Sequence, residues 1–121
     1  MQIFLLSSVA LQLSACDRGL EIMSVEVIQL PYKMVYVAGI DDHLNMEGTI
    51  LQTRIRDGRV FEDLFEEETR AFIRHDIDFS TPGEYEVRFY WGWDVPIDPE
   101  NPRYAEGPRH IYTMTIKVIA P

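Results

Sequence analysis

Three groups of residues have types and spacings that could do chemistry. Asp41-Asp42-His43 and His75-Asp76-x-Asp78 set histidine beside carboxylates, a mixed donor set that can hold a divalent cation and support metal-assisted hydrolysis. Neither spacing matches HExxH, an EF-hand loop or a cysteine site. The simpler reading gives these residues to turns, with Asp41 or Asp42 accepting bonds from nearby backbone amides and Asp78 fixing the turn before Pro82. A metal-dependent hydrolase would require the His43 and His75 regions to converge. The third group is aromatic. Trp91 and Trp93 share a strand face if a strand continues past Gly92, and such a pair beside an irregular loop can stack on sugar rings or anchor a protein contact. A tryptophan in a sandwich strand is more often core, the reading favoured for Trp91.

Other chemistries find little to stand on. Glu62, Asp63 and Glu66 to Glu68 form an acidic run that could bind calcium weakly, but such runs are usually solvated faces. A glycosidase needs two acids about 5–10 Å apart across a cleft, and no cleft can be inferred. Neither Ser24 nor Ser80 has a Gly-x-Ser-x-Gly setting. The seven glycines form no phosphate-cradling loop. No catalytic residue, metal ligand set or cofactor is expected.

The elements that position these groups read as strands. Glu84 to Trp91 alternates, with Tyr85, Val87, Phe89 and Trp91 facing one way and Glu84, Glu86, Arg88 and Tyr90 the other. Ile111 to Ile119 repeats the pattern, placing Tyr112, Met114, Ile116 and Val118 on one face. Met23 to Leu30 reads as an opening strand ended by Pro31. Thr49 to Ile55 is a shorter strand, and Arg56-Asp57-Gly58-Arg59 a tight turn into Val60-Phe61. Pro82-Gly83 marks another turn. Phe61, Leu64, Phe65 and Phe72 lie near helical spacing, so a short helical turn is expected among them. Many short strands with turns about every ten residues argue an antiparallel sandwich.

Between Trp93 and His110 the periodicity stops. Four prolines and a glycine exclude regular structure there. Connections longer than about 12–15 residues are uncommon in compact domains and are often functional. Binding chemistry concentrates in loops carried by a rigid scaffold. Trp93, Asp94, Asp98, Arg103, Tyr104 and Arg109 are therefore the candidate ligand-binding residues. A tolerated surface insertion is the competing reading, since long insertions affect stability little. Lys+Arg 11 against Asp+Glu 20 gives a net charge of −9, which disfavours nucleic acid as a partner. Hydrophobic content of 46% with 26% charged residues is that of a globular domain.

Two resemblances sharpen the reading. Pro31-Tyr32-Lys33-Met34-Val35-Tyr36-Val37-Ala38-Gly39, then Gly48, Asp57-Gly58, and Ile77-Asp78-Phe79-Ser80-Thr81-Pro82-Gly83-Glu84-Tyr85-Glu86-Val87 resemble the bacterial Ig-like domains of the third group. Ile77 stands where that pattern has an aromatic, and the long loop replaces a short turn. The resemblance implies an Ig-like Greek-key antiparallel β-sandwich of about seven strands over residues 24–121, without catalytic residues.

The apolar run from Ile3, closed by Leu13-Ser14-Ala15-Cys16, resembles the lipobox of a bacterial lipoprotein signal. It is too short to span a bilayer but fits the apolar region of a secretory leader, although no Lys or Arg precedes it. The resemblance implies a signal peptide over residues 1–15, lipidation at Cys16, and a short linker to residue 23. Cys16 as a small buried hydrophobe is the alternative. With one cysteine no intrachain disulfide can form.

Together these features lead to an expected cell-envelope, extracytoplasmic lipoprotein that is not an enzyme. Its expected partners are a membrane, reached through the lipid anchor, and a protein or glycan ligand. A structural spacer or envelope-assembly subunit is the alternative, with a metal-dependent hydrolase behind it.

Overall fold

The computed structural model describes residues 22–102 and 107–121. Among them the chain forms seven strands: β1 Ile22–Gln29, β2 Val35–Val37, β3 Ile50–Ile55, β4 Val60–Leu64, β5 Ala71–His75, β6 Gly83–Trp91 and β7 Arg109–Ile119. The sheets run β1-β3-β4 and β2-β7-β6-β5. Every pairing is antiparallel except that of β2 with β7, which is parallel. This is the expected all-β sandwich of about seven strands.

Alternation builds the core. Val87, Phe89 and Trp91 of β6 are buried, as are Met114, Ile116 and Val118 of β7 and Tyr36 of β2. Val25 of β1 and Leu51 of β3 meet Trp91 from the other sheet, where Ile55 of β3 is buried as well. Each such apolar side chain contributes about 1.5–3 kcal/mol on leaving water. The Arg56–Arg59 turn forms as expected. Gly58 takes a φ of 96°, and Asp57 Oδ1 accepts the Arg59 N–H at 2.9 Å. The chain then stays in the same sheet as β4 and crosses to the second sheet only afterwards.

Three features depart from simple alternation. Tyr112, expected on the buried face of β7, is 39% exposed. The register between β6 and β7 shifts there: Phe89 faces Tyr112 and Tyr90 faces His110, so Ile111 is the extra residue of a bulge. Ile111 packs toward the core in its place. The apolar spacing from Phe61 to Phe72 yields one short 3-10 turn, Phe65–Glu67, with strands on both sides. Phe72 itself belongs to β5, a strand that its helix-like spacing concealed.

Candidate functional site

The long connection leaves the sheet at Gly92. Its φ of 136° and its approach to Pro108, whose Cα would lie 2.9 Å from an added Cβ, require glycine. β6 therefore ends at Trp91, and Trp93 does not continue its face as a strand residue. Both indoles nevertheless flank one cation. The Arg70 guanidinium lies 5.6 Å from the Trp91 ring and 5.3 Å from that of Trp93. The Gly92 N–H donates to the Arg70 carbonyl at 2.7 Å. Trp91 is core, as expected, at 7% exposure, and Trp93 is half-buried.

The next residue ties the loop to the outer face of the second sheet. Asp94 pairs with Arg74 of β5 at 2.9 Å. The Arg74 guanidinium in turn lies 5.3 Å from the Phe72 ring and 5.5 Å from the Tyr90 ring. These two aromatics face each other across β5 and β6 and stack at 5.3 Å with 14° between their planes. His110 meets Tyr90 edge-on at 5.6 Å, and its Nε2 lies 2.7 Å from Thr113 Oγ1. The result is a surface of stacked rings bordered by a guanidinium, an imidazole and a carboxylate. Aromatic faces take apolar or sugar-ring surface, and the polar rim can orient it by hydrogen bonds.

The other loop candidates fare differently. Asp98 caps a turn: its Oδ1 accepts the Glu100 N–H at 3.1 Å and its carbonyl accepts the Asn101 N–H at 3.1 Å. Arg109, expected in the loop, opens β7 opposite Trp91, because the strand starts two residues before Ile111. Arg103 and Tyr104 lie outside the described residues, as does Cys16 with the segment before it. Tyr32 lies against the Glu47–Gly48 turn, its N–H donating to the Glu47 carbonyl and its ring covering Gly48. The sequence reading did not find Phe72, Arg74, Tyr90 and His110 as a group. Alternation places Tyr90 on the outer face, but its cross-strand partner lies in β5, whose apolar spacing reads as helical.

The His/carboxylate clusters are occupied by local contacts. Asp41 pairs with Lys33 at 2.7 Å and accepts the Val37 N–H at 2.7 Å. The Lys33 bond, then the Val37 amide, lowers its carboxyl below the usual value. Asp78 accepts from Ser80 N–H, Ser80 Oγ and Thr81 Oγ1 at 3.0, 2.6 and 2.9 Å. Those bonds, the Ser80 hydroxyl first, lower its carboxyl too. His43 Nδ1 lies 2.7 Å from Asp42 Oδ1 on an open surface, and His75 Nδ1 accepts the Ile77 N–H at 3.2 Å. Among the described residues, no three His, Cys, Asp or Glu side chains are grouped to hold a metal ion.

No protein-family model matches the chain, and no curated protein matches it.

Proposed function

We propose that the chain is a non-catalytic envelope lipoprotein whose Ig-like sandwich binds a protein or glycan ligand. The contact surface comprises the 92–108 loop and the adjoining outer face of β5 and β6. The observation that carries this reading is the Asp94–Arg74 pair, which fastens the start of the loop beside the Phe72–Tyr90 stack. A surface insertion without function has no need to be tied to an aromatic face. Prolines in the loop also reduce the entropy lost when it is fixed against a partner.

The Ig-like part of the proposal draws support from Tyr85, whose hydroxyl donates to the Thr81 carbonyl at 2.7 Å. This Tyr, near the start of the penultimate strand and bonded to backbone a few residues upstream, matches the tyrosine corner of such sandwiches. One connection differs: β4 follows β3 within the same sheet, where constant-type immunoglobulin domains cross to the other. The anchor rests on the Leu13-Ser14-Ala15-Cys16 sequence.

The test compares the whole chain with a variant in which residues 94–107 are replaced by Asn-Gly, and with Arg74→Ala and Tyr90→Ala. Each is presented to envelope proteins and glycans from a cell extract. A ligand held by the parent and lost by all three variants is the expected result. Equal capture, or capture by none, refutes the loop-and-platform site and favours the spacer reading.

A further inference from the structure

Among the described residues four strands lie at sheet edges: β1 and β4 in one sheet, β2 and β5 in the other. An edge strand offers unpaired N–H and C=O groups to any chain that aligns with it. Proteins blunt such edges with bulges, short strands or inward-pointing charges. Three of the four edges carry a device of this kind. β1 has register irregularities near both ends. β2 is three residues long. β4 places Asp63 opposite the buried Leu51, so its carboxylate is on the inner face, and adds Glu62 beside it. β5 has none of these three: Ala71–His75 pairs with β6 without a shift and contains no proline or acidic residue, and its one full charge, Arg74, is on the outer face and paired with Asp94.

One hydrogen bond fixes which groups of β5 point outward. Ala71 faces Trp91, so Arg70 faces Gly92 one step earlier, and the Arg70 carbonyl accepts the Gly92 N–H. In an antiparallel ladder, hydrogen-bonded and non-hydrogen-bonded pairs alternate. Phe72 and Arg74 thus bond to β6, whereas Ala71, Ile73 and His75 aim their N–H and C=O groups away from it. Among the described residues, no backbone bond from another element reaches them.

We propose that this edge pairs with the same edge of a second copy about a twofold axis at Ile73, joining the two four-stranded sheets into one. The sequence Ala71-Phe72-Ile73-Arg74-His75 is self-complementary in that register. Ile73 meets its counterpart, Ala71 meets the partner's His75, and those outward groups form two bonds per facing pair. On the outer surface Phe72 meets the partner's Arg74, repeating between chains the cation–π contact that Arg74 makes within one. Asp94 neutralises each Arg74. In a chain of net charge −9, residues 70–75 are free of acids, whereas the same operation on β4 would set Glu62 against Glu62. The contact is isologous and closes on itself. Its small size makes it a weak dimer.

The test is sedimentation velocity on the whole chain from micromolar to roughly millimolar concentration, with amide exchange mapped at both ends of that range. The expected result is a concentration-dependent dimer in which exchange at residues 71, 73 and 75 slows by about tenfold or more. Phe72→Lys sets a cation against the partner's Arg74 and should weaken the dimer by roughly tenfold or more. The double variant Phe72→Lys/Arg74→Glu, made together with Asp94→Asn so that no second carboxylate lies beside position 74, should restore it, because each new cation then faces a new anion. A chain that stays monomeric overturns the proposal. So does association that leaves those amides unprotected, whether through the apolar N-terminal segment or another edge. A folded double variant that fails to recover also overturns it. If a variant does not fold, the exchange map of the parent decides.

Discussion

Asp63→Asn should make the protein more stable at neutral pH, and the gain should vanish in acid. Asp63 sits on β4 directly opposite Leu51, which is 1% exposed, so its carboxyl turns toward the gap between the sheets. Burial, then the charges of Glu68 and Glu67, pushes that carboxyl from 3.8 up to about 6. An acid whose folded value is raised binds its proton more tightly in the fold than in the unfolded chain. Its favourable contribution is complete below about pH 4 and is lost as pH rises through 6. A rise of about two units corresponds to roughly 3 kcal/mol if taken at face value. The group is partly solvated, and screening reduces the figure to about 1 kcal/mol. Asparagine has the same shape and no charge to desolvate. Urea unfolding of parent and variant should therefore differ by about 1 kcal/mol at pH 7.5 and by nearly nothing at pH 4. In thermal melts the neutral-pH difference amounts to about 4–8 °C. An equal or less stable variant at pH 7.5, or a difference that does not change with pH, would refute the reasoning.

Asp41 and Asp78 should titrate in the opposite sense. Their folded values are lowered, so their contributions are present above pH 4 and lost as pH falls through the lowered values; Asp41→Asn and Asp78→Asn should flatten the acid limb of the stability profile. Gly92→Ala should destabilise by about 2 kcal/mol in denaturant titration, since its φ is unfavourable for an L residue and its Cβ would meet Pro108 backbone. Asp94→Ala should change stability by less than about 1 kcal/mol, because the Arg74 pair is exposed, yet should reduce ligand capture; unchanged capture would separate the pair from the site. Cys16→Ser should abolish incorporation of labelled fatty acid and shift the protein out of the membrane fraction, and persistence of both would refute the anchor.

Strands with one buried face were legible because period-two alternation is imposed by the pleat itself. Tyr85, Val87, Phe89 and Trp91 could point inward only together, and the same logic held for Met114, Ile116 and Val118. Short or half-buried strands were not. Val35–Val37 is too brief to show a period, and it belongs to the sheet only because β7 lies alongside. Ala71–His75 follows three glutamates and shares apolar spacing with Phe65, so local pattern could not separate it from a helical continuation. Alternation alone places Tyr112 inward, but the bulge at Ile111 beside it turns Ile111 toward the core in its place.

The candidate site divides along the same line. By itself the sequence determined an all-β chain with a proline-rich interruption before its last strand, a strong acidic balance and a lone cysteine behind an apolar run. These follow from residue type and local dihedral limits, which need no distant partner. Only the tertiary structure decided that Asp94 meets Arg74, twenty positions away, and that Phe72 stacks on Tyr90. Among the described residues, it alone left β5 as an edge without a bulge or an acid. Cross-strand neighbours are set by register, and register is chosen by the burial of the whole sheet, which no single segment encodes.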